Sequence, residues 1–221
     1  MPTASRAAPS ARTAPVDACV THRTLVVARL GDNGPVRVTV LPYNPAWPEA
    51  FTTIRAALAT ALEGVPVVAI EHVGSTSVPG LAAKPVLDID VVVRRADLDA
   101  AIAALVAAGY THRGDLGVPD RHAMAASTTD EHAAVTRNVY VCVEGSLSLR
   151  NHLAVRDTLR ADPELRDAYA AVKLGLAAQE LDGIEDYIDG KNEVVQRILA
   201  AAGISDDDRG SILTVNTKPA S

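Results

Sequence analysis

The stretch IEHVGSTSVPGLAAKPVLDIDVVV, residues 70–93, decides the reading of the chain. Apolar runs flank a segment of Gly, Ser, Thr and Pro that suits neither a long helix nor a central strand. The pattern predicts strand, small-residue turn, strand. The first strand delivers Gly74 and Ser75 at its carboxyl end, and the second carries Asp88 and Asp90. Residues two apart share a face of a strand, about 7 Å apart along the chain. Leu87, Ile89 and Val91 then face a core. Two carboxylates so placed repel unless a cation lies between them, and a hard divalent ion such as Mg²⁺ suits oxygen ligands. Spacing alone fits two solvated aspartates equally well. The adjoining turn favours a site, because Gly permits close backbone approach and the backbone around Ser75, Thr76 and Ser77 can cradle phosphate. Phosphate donors beside a Mg²⁺ pair are what nucleotidyl transfer needs.

Around this stretch the segments read as an α+β chain. Trp47, Phe51, Ile54, Leu58 and Leu62 follow helical spacing, with Trp47 a core anchor rather than a stacking platform. Helices are predicted over 97–108 and 147–161. Asp162-Pro163 then starts another, with Asp162 as N-cap. A last helical stretch runs over 184–202, interrupted at Gly190-Lys191. Alternation predicts strands near 110–113 and 135–143, the second with Asn138, Tyr140 and Cys142 on one face. The runs 24–30 and 36–41 suggest a hairpin. Residues 1–23 read as a disordered leader, 24–204 as one domain, and 205–221 as an acidic flexible tail.

Composition narrows the function. The 221 residues carry a net charge of −6, against a broad basic footprint for nucleic acid. Aromatics are 3% of the chain, so Ala-rich helices and Val-rich strands must build the core. Cys19 and Cys142 lie too far apart for a metal motif, and a reducing cytoplasm is the default. No membrane span or secretory signal is read.

Gly-Ser followed about a dozen residues later by Asp-x-Asp resembles the nucleotidyltransferase superfamily that includes polymerase β and the aminoglycoside adenylyltransferases. The longer strings VTVLPYNPAW, IEHVGSTSVPGLAAKPVLDIDVVV and AVRDTLRADPEL resemble the GrpB family of small bacterial proteins, over roughly residues 36–203. The resemblance implies a mixed-sheet nucleotidyltransferase-like core with flanking helices and a C-terminal helical segment. It also implies that Asp88 and Asp90 are catalytic and hold Mg²⁺ or Mn²⁺, and that Gly74, Ser75, Thr76, Ser77 and Lys84 bind nucleotide phosphates. Lys84 reads either as solvated or as a partner of phosphate. Arg156, Lys173 and Lys191 match recurring family positions and, with Arg121, are candidates for neutralising phosphate or substrate charge. His72 is read as structural, as a support of the Ser-rich loop, or as a further neutraliser of that charge. The expected ligands are a nucleoside triphosphate, ATP first, and a small-molecule acceptor.

The resemblance also implies a third carboxylate, or a histidine, on the later strand. The sequence has Asn138-Val139-Tyr140 there, with Tyr140 in that place and Glu144 the nearest acid. Tyrosine, with a pKa of about 10, is a poor Mg²⁺ ligand and a poor base near neutrality. A one-metal enzyme and a non-catalytic nucleotide-binding module both remain open at this point.

Overall fold

In a computed structural model of the protein, residues 37–127 and 132–217 are described. Alternating apolar residues form two seven-residue strands, β2 (Leu87–Val93) and β5 (Arg137–Val143). They pair in parallel, with Asp88 opposite Asn138 and Asp90 opposite Tyr140. β1 (Ala69–Val73) runs antiparallel along the other side of β2 and sets Val73 opposite Asp88. β4 (Arg121–Ala125) and β3 (Thr111–His112) complete a mixed sheet of order β1-β2-β5-β4-β3. β4 was not expected from the sequence, because its buried arginine and alanines carry no alternation signal.

Helices cover both faces. α1 (Trp47–Ala61) and α2 (Leu98–Ala107) bury Ile54, Leu58 and Leu105 against Ile89, Val91, Val139 and Val141. Trp47 is buried in this layer, edge-on to Tyr43, in its expected structural role. On the other face Val92, Tyr140 and Cys142 lie beneath Leu149 of α3 (Leu147–Ala161). Asp162 ends α3 and caps α4 (Pro163–Ala177), its Oδ1 accepting from the Leu165 N–H at 2.9 Å. α5 (Ile184–Asp189) and α6 (Asn192–Ala201) follow, divided at Gly190-Lys191 as expected.

A second apolar cluster joins Leu159, Tyr169, Val194 and Ile198 to Val78 and Leu81 of the central loop. This cluster fixes the loop between β1 and β2 against the helices. Ile198 is fully buried within it. Ile198→Ala is expected to lower stability by about 2–5 kcal/mol, read by urea denaturation. A loss below about 1 kcal/mol, the range of a surface change, would contradict this packing.

The expected acidic tail is corrected in part: α7 (Asp206–Asn216) is a helix. Ser205 Oγ accepts from the Asp208 N–H, and three aspartates in the first turn oppose the positive end of the helix dipole. The acidity that suggested a solvated tail is thus a helix-start signal. The leader and the first run of the expected hairpin lie outside the described residues. Of its second run, Leu41 makes an isolated antiparallel bridge to Ala83. Among the described residues no helix is long and apolar enough to cross a membrane.

Candidate active site

The site begins at Gly74. Its φ of +67° and ψ of −174° belong to a region that only glycine occupies without strain. A Cβ at this position would stand 2.9 Å from Asp88 Cβ and Cγ, and closer still to Oδ2. The missing side chain therefore lets the Asp88 carboxylate lie directly against the turn. Ser75–Ser77 forms one 3₁₀ turn. Ser77 Oγ donates to Gly74 O at 2.6 Å, inside the turn. Thr76 Oγ1 donates to Val86 O at 3.1 Å and stands 3.0 Å from His72 Nε2. The hydroxyl has one proton, so Nε2–H of His72 must be the donor in that second contact. Of the three hydroxyls, Ser75 alone lines the cleft.

The cleft opens between the central loop and helices α4 to α6, and spans about 480 Å³. Lys84, Asp88, Tyr169, Lys173, Tyr187 and Lys191 line it with Ser75. Lys173 is 2% exposed, and its Nζ donates to Ser75 Oγ at 3.0 Å and to Ala82 O. Burial, then the nearby Lys191, brings its pKa down to about 6. Burial followed by Lys84 brings Lys191 down to about 8, against the pull of Asp88. Lys84 is likewise lowered by burial and partly restored by Asp88. The two inner ammonium groups lie over aromatic rings, Lys173 4.5 Å from the Tyr169 centroid and Lys191 4.4 Å from that of Tyr187. Burial pushes the Tyr169 phenol up to about 12 and raises Tyr187 as well. Three lysines thus face one carboxylate in a partly desolvated cleft, an arrangement that an anion with several charges would satisfy.

The acidic pair shares a face of β2 but not an environment. Asp88 is partly buried at the cleft, and its Oδ1 accepts from Asn138 Nδ2 at 2.7 Å. Burial is the main influence raising its pKa, opposed by Asn138 and His152. Asp90 is fully buried beneath α3, its Oδ2 2.7 Å from His152 Nδ1. Its Oδ1 has no N–H or O–H partner among the described residues. The buried Cys142 thiol, pushed up by burial and then by the Asp90 charge, lies beside it. The Asp88 carboxylate offers oxygen ligands to one hard cation at the cleft, with phosphate and water supplying others; Asp90 reaches the same cation only if α3 shifts from it. The residue opposite Asp88 on β5 is the amide Asn138 rather than a third carboxylate. Among the described residues no group of three or more His, Cys, Asp or Glu suited to a metal exists.

The structure brings Ser75, Lys84, Asp88, Lys173 and Lys191 together, with Gly74 beneath them. It places five other expected residues elsewhere. Thr76 and Ser77 turn inward. His72 is buried and stacks on Phe51 at 4.7 Å, and burial followed by Arg160 and Arg156 lowers its pKa to about 4. It is therefore a neutral support of the loop rather than a neutraliser of charge. Arg156 is already matched by Glu71 at 2.6 Å and Asp157 at 2.7 Å. Arg121 is 1% exposed, with its guanidinium 4.6 Å from the Tyr140 ring centroid. Neither arginine lines the cleft.

Sequence reasoning passed over Asn138, His152, Tyr169 and Tyr187 as site residues. Asn138 was legible, since it lies on the non-core face of an alternating strand. His152 stands three residues after Leu149 on the inner stripe of α3, which was a signal too. It supplies to Asp90 the imidazole that was sought on β5 at Tyr140. The two tyrosines read as plain core residues, and their polar ends gave no warning.

A family profile described as GrpB protein matches residues 37–201. A UPF0157 protein of Halalkalibacterium halodurans is 37% identical over 169 residues, covering 75% of this chain and 82% of that one. The UPF0157 protein YqkA of Bacillus subtilis is 34% identical, over 72% of this chain and 46% of its own length, so the chain spans about half of that relative. The crystal structure of the conserved protein GrpB from Enterococcus faecalis superposes with a TM-score of 0.63 at 30% identity, covering 74% of this chain and 96% of that one. Cid1 in complex with its short product ApU is more distant, with a TM-score of 0.45 at 16% identity, over 60% of this chain and 42% of that one.

Proposed function

Since the chain belongs to the GrpB family, we propose from its cleft that it is a nucleotidyltransferase-type enzyme, dependent on Mg²⁺ or Mn²⁺, that transfers a nucleotidyl group from a triphosphate, ATP first, to a small-molecule acceptor. The observation that carries this reading is the contact of the Asp88 carboxylate with the Gly74 turn, in a cleft lined by three lysines. Lys84, Lys173 and Lys191 hold the β- and γ-phosphates. Ser75 Oγ, fixed by Lys173, orients the phosphate chain. An acceptor oxygen bonds to the α-phosphorus in line, and the bond from that phosphorus to the bridging oxygen breaks. Pyrophosphate leaves with the electron pair, and a hydroxyl acceptor yields its proton to water. A carboxylate acceptor yields an acyl-adenylate; an amine then bonds to its acyl carbon, the bond from that carbon to the phosphate oxygen breaks, AMP leaves with the electron pair, and the nitrogen yields its proton to water. A bound divalent ion, held by Asp88 and Asp90, would supply charge neutralisation at the α-phosphate.

α-Labelled triphosphates incubated with the protein and Mg²⁺ test the reading. Metal-dependent pyrophosphate release, with label passing to small acceptors drawn from a metabolite pool, is expected. Saturable nucleotide binding with no turnover would favour the alternative, a non-catalytic nucleotide-binding or regulatory module. Two observations speak for that alternative: Asn138 stands opposite Asp88, and α3 seals Asp90 from solvent.

The depressed pKa of Lys173 makes binding pH-dependent. In the free protein the group is largely neutral above about pH 6. A bound polyphosphate favours its charged form, so binding near pH 7.5 takes up protons. Affinity falls as pH rises from below 6, because the cost of protonating Lys173 then grows. Calorimetry in buffers of different ionisation enthalpy should show this uptake, and Lys173→Met should reduce it. Equal uptake in both proteins would remove Lys173 from the phosphate site.

A further inference from the structure

A second cavity lies across Ser75 and Lys191 from the first. Its character differs from that of the cationic cleft. Among the described residues, Lys191, shared by both, is its one charged lining residue, and no acid lines it. Val155, Leu159, Ile188 and Val195 form apolar walls, and Asn151 of α3 and Asn216 of α7 line it too. Both amides are more than nine-tenths buried, at 6% and 8% exposure. The Oδ1 of each has no hydrogen-bond partner among the described residues. Buried acceptors left unpaired in this way are costly and uncommon in folded proteins.

We infer that this cavity is the nucleobase subsite of the triphosphate cleft, and that Asn151 and Asn216 set the base preference. The inference rests on the phosphate reading of the neighbouring cleft. A nucleobase is uncharged and flat, so its faces suit the aliphatic walls. Its edge carries both donors and acceptors, and so pairs with an amide turned either way. The two cavities share Ser75, Tyr169 and Lys191, where a nucleotide would pass from phosphates to nucleoside. Asn216 belongs to α7, beyond the residues 37–201 matched by the family profile.

Calorimetry on the full chain with Mg²⁺ tests this, using tripolyphosphate, ATP, GTP, CTP and UTP as probes. The wild type should bind tripolyphosphate, and should bind its preferred nucleotide at least about tenfold more tightly than the least preferred, the worth of one well-made hydrogen bond. Asn151→Ala and Asn216→Ala should each flatten that ranking and leave tripolyphosphate affinity unchanged. Melting temperatures should stay near wild type, since the carbonyls removed have no partners. Four nucleotides that bind alike, or no more tightly than tripolyphosphate, would overturn the subsite and leave the phosphate reading intact. An unchanged ranking in folded variants would do the same. Absent binding of tripolyphosphate would overturn the phosphate reading, and the subsite with it. Should one variant fail to fold, the other and the wild-type ranking still decide.

Discussion

Asp88→Asn is expected to fold as the parent does and to lose metal-dependent turnover of triphosphate by on the order of a hundredfold or more, the scale for removing one stabilising group at a reacting centre. The fold should tolerate the change because asparagine keeps an oxygen for the amide of Asn138, which now donates to Asp88 at 2.7 Å. Stability should rise rather than fall near neutral pH. Burial raises the Asp88 pKa above its ordinary 3.8. A raised carboxyl favours the fold while protonated, and that advantage is lost as pH climbs through the folded-state value. Asparagine is neutral throughout and keeps it. The variant should melt higher than the parent at pH 7, and the gap should close below the ordinary carboxyl range. A variant that turns over substrate at the parental rate would remove Asp88 from the reaction.

Gly74→Ala should damage both fold and site. The conformation is forbidden to alanine without strain, and the new methyl group would overlap the Asp88 carboxylate. Together these are expected to cost on the order of 3 kcal/mol or more, read by urea denaturation. Any folded fraction should also lose nucleotide binding, because Asp88 must move away from the turn. Gly175→Ala in α4 is the control. A Cβ there meets nothing within 4 Å, so alanine should stabilise the helix by about 0.5–1 kcal/mol. Opposite signs for one chemical change would tie the loss to the Asp88 contact. A loss at Gly74 no larger than a surface change, within about 0.5 kcal/mol, would contradict the close packing.

Local pattern was enough for the elements that carry the site. Alternation in 86–93 and 135–143 gave the two parallel strands, and Asp162-Pro163 gave the start of α4. The small residues at 74–77 marked the turn; Gly74 was read as leaving room for a ligand, whereas it leaves room for the Asp88 carboxylate. What stayed hidden depends on contacts between distant parts of the chain. His152 reaches Asp90 across 62 residues, and Lys173 reaches Ser75 across 98. Nothing in β2 itself indicates that α3 will cross over Asp90 and leave Asp88 at the cleft. Lys173 and Lys191 were singled out only through the family resemblance, since lysines on amphipathic helices ordinarily face water. Arg121 misled for the opposite reason. A charged residue in a short Ala-rich segment read as a candidate for neutralising phosphate or substrate charge, whereas it lies in β4 against Tyr140.

Equilibrium titration of ATP into the wild-type chain, with and without Mg²⁺, bears on the whole proposal. Saturable binding that Mg²⁺ strengthens is expected, with Lys173→Met weakening it in both conditions and Asp88→Asn losing only the increment due to the metal. No saturable binding by the wild type, or an Mg²⁺ increment that Asp88→Asn leaves untouched, would contradict a triphosphate site at the Gly74 turn.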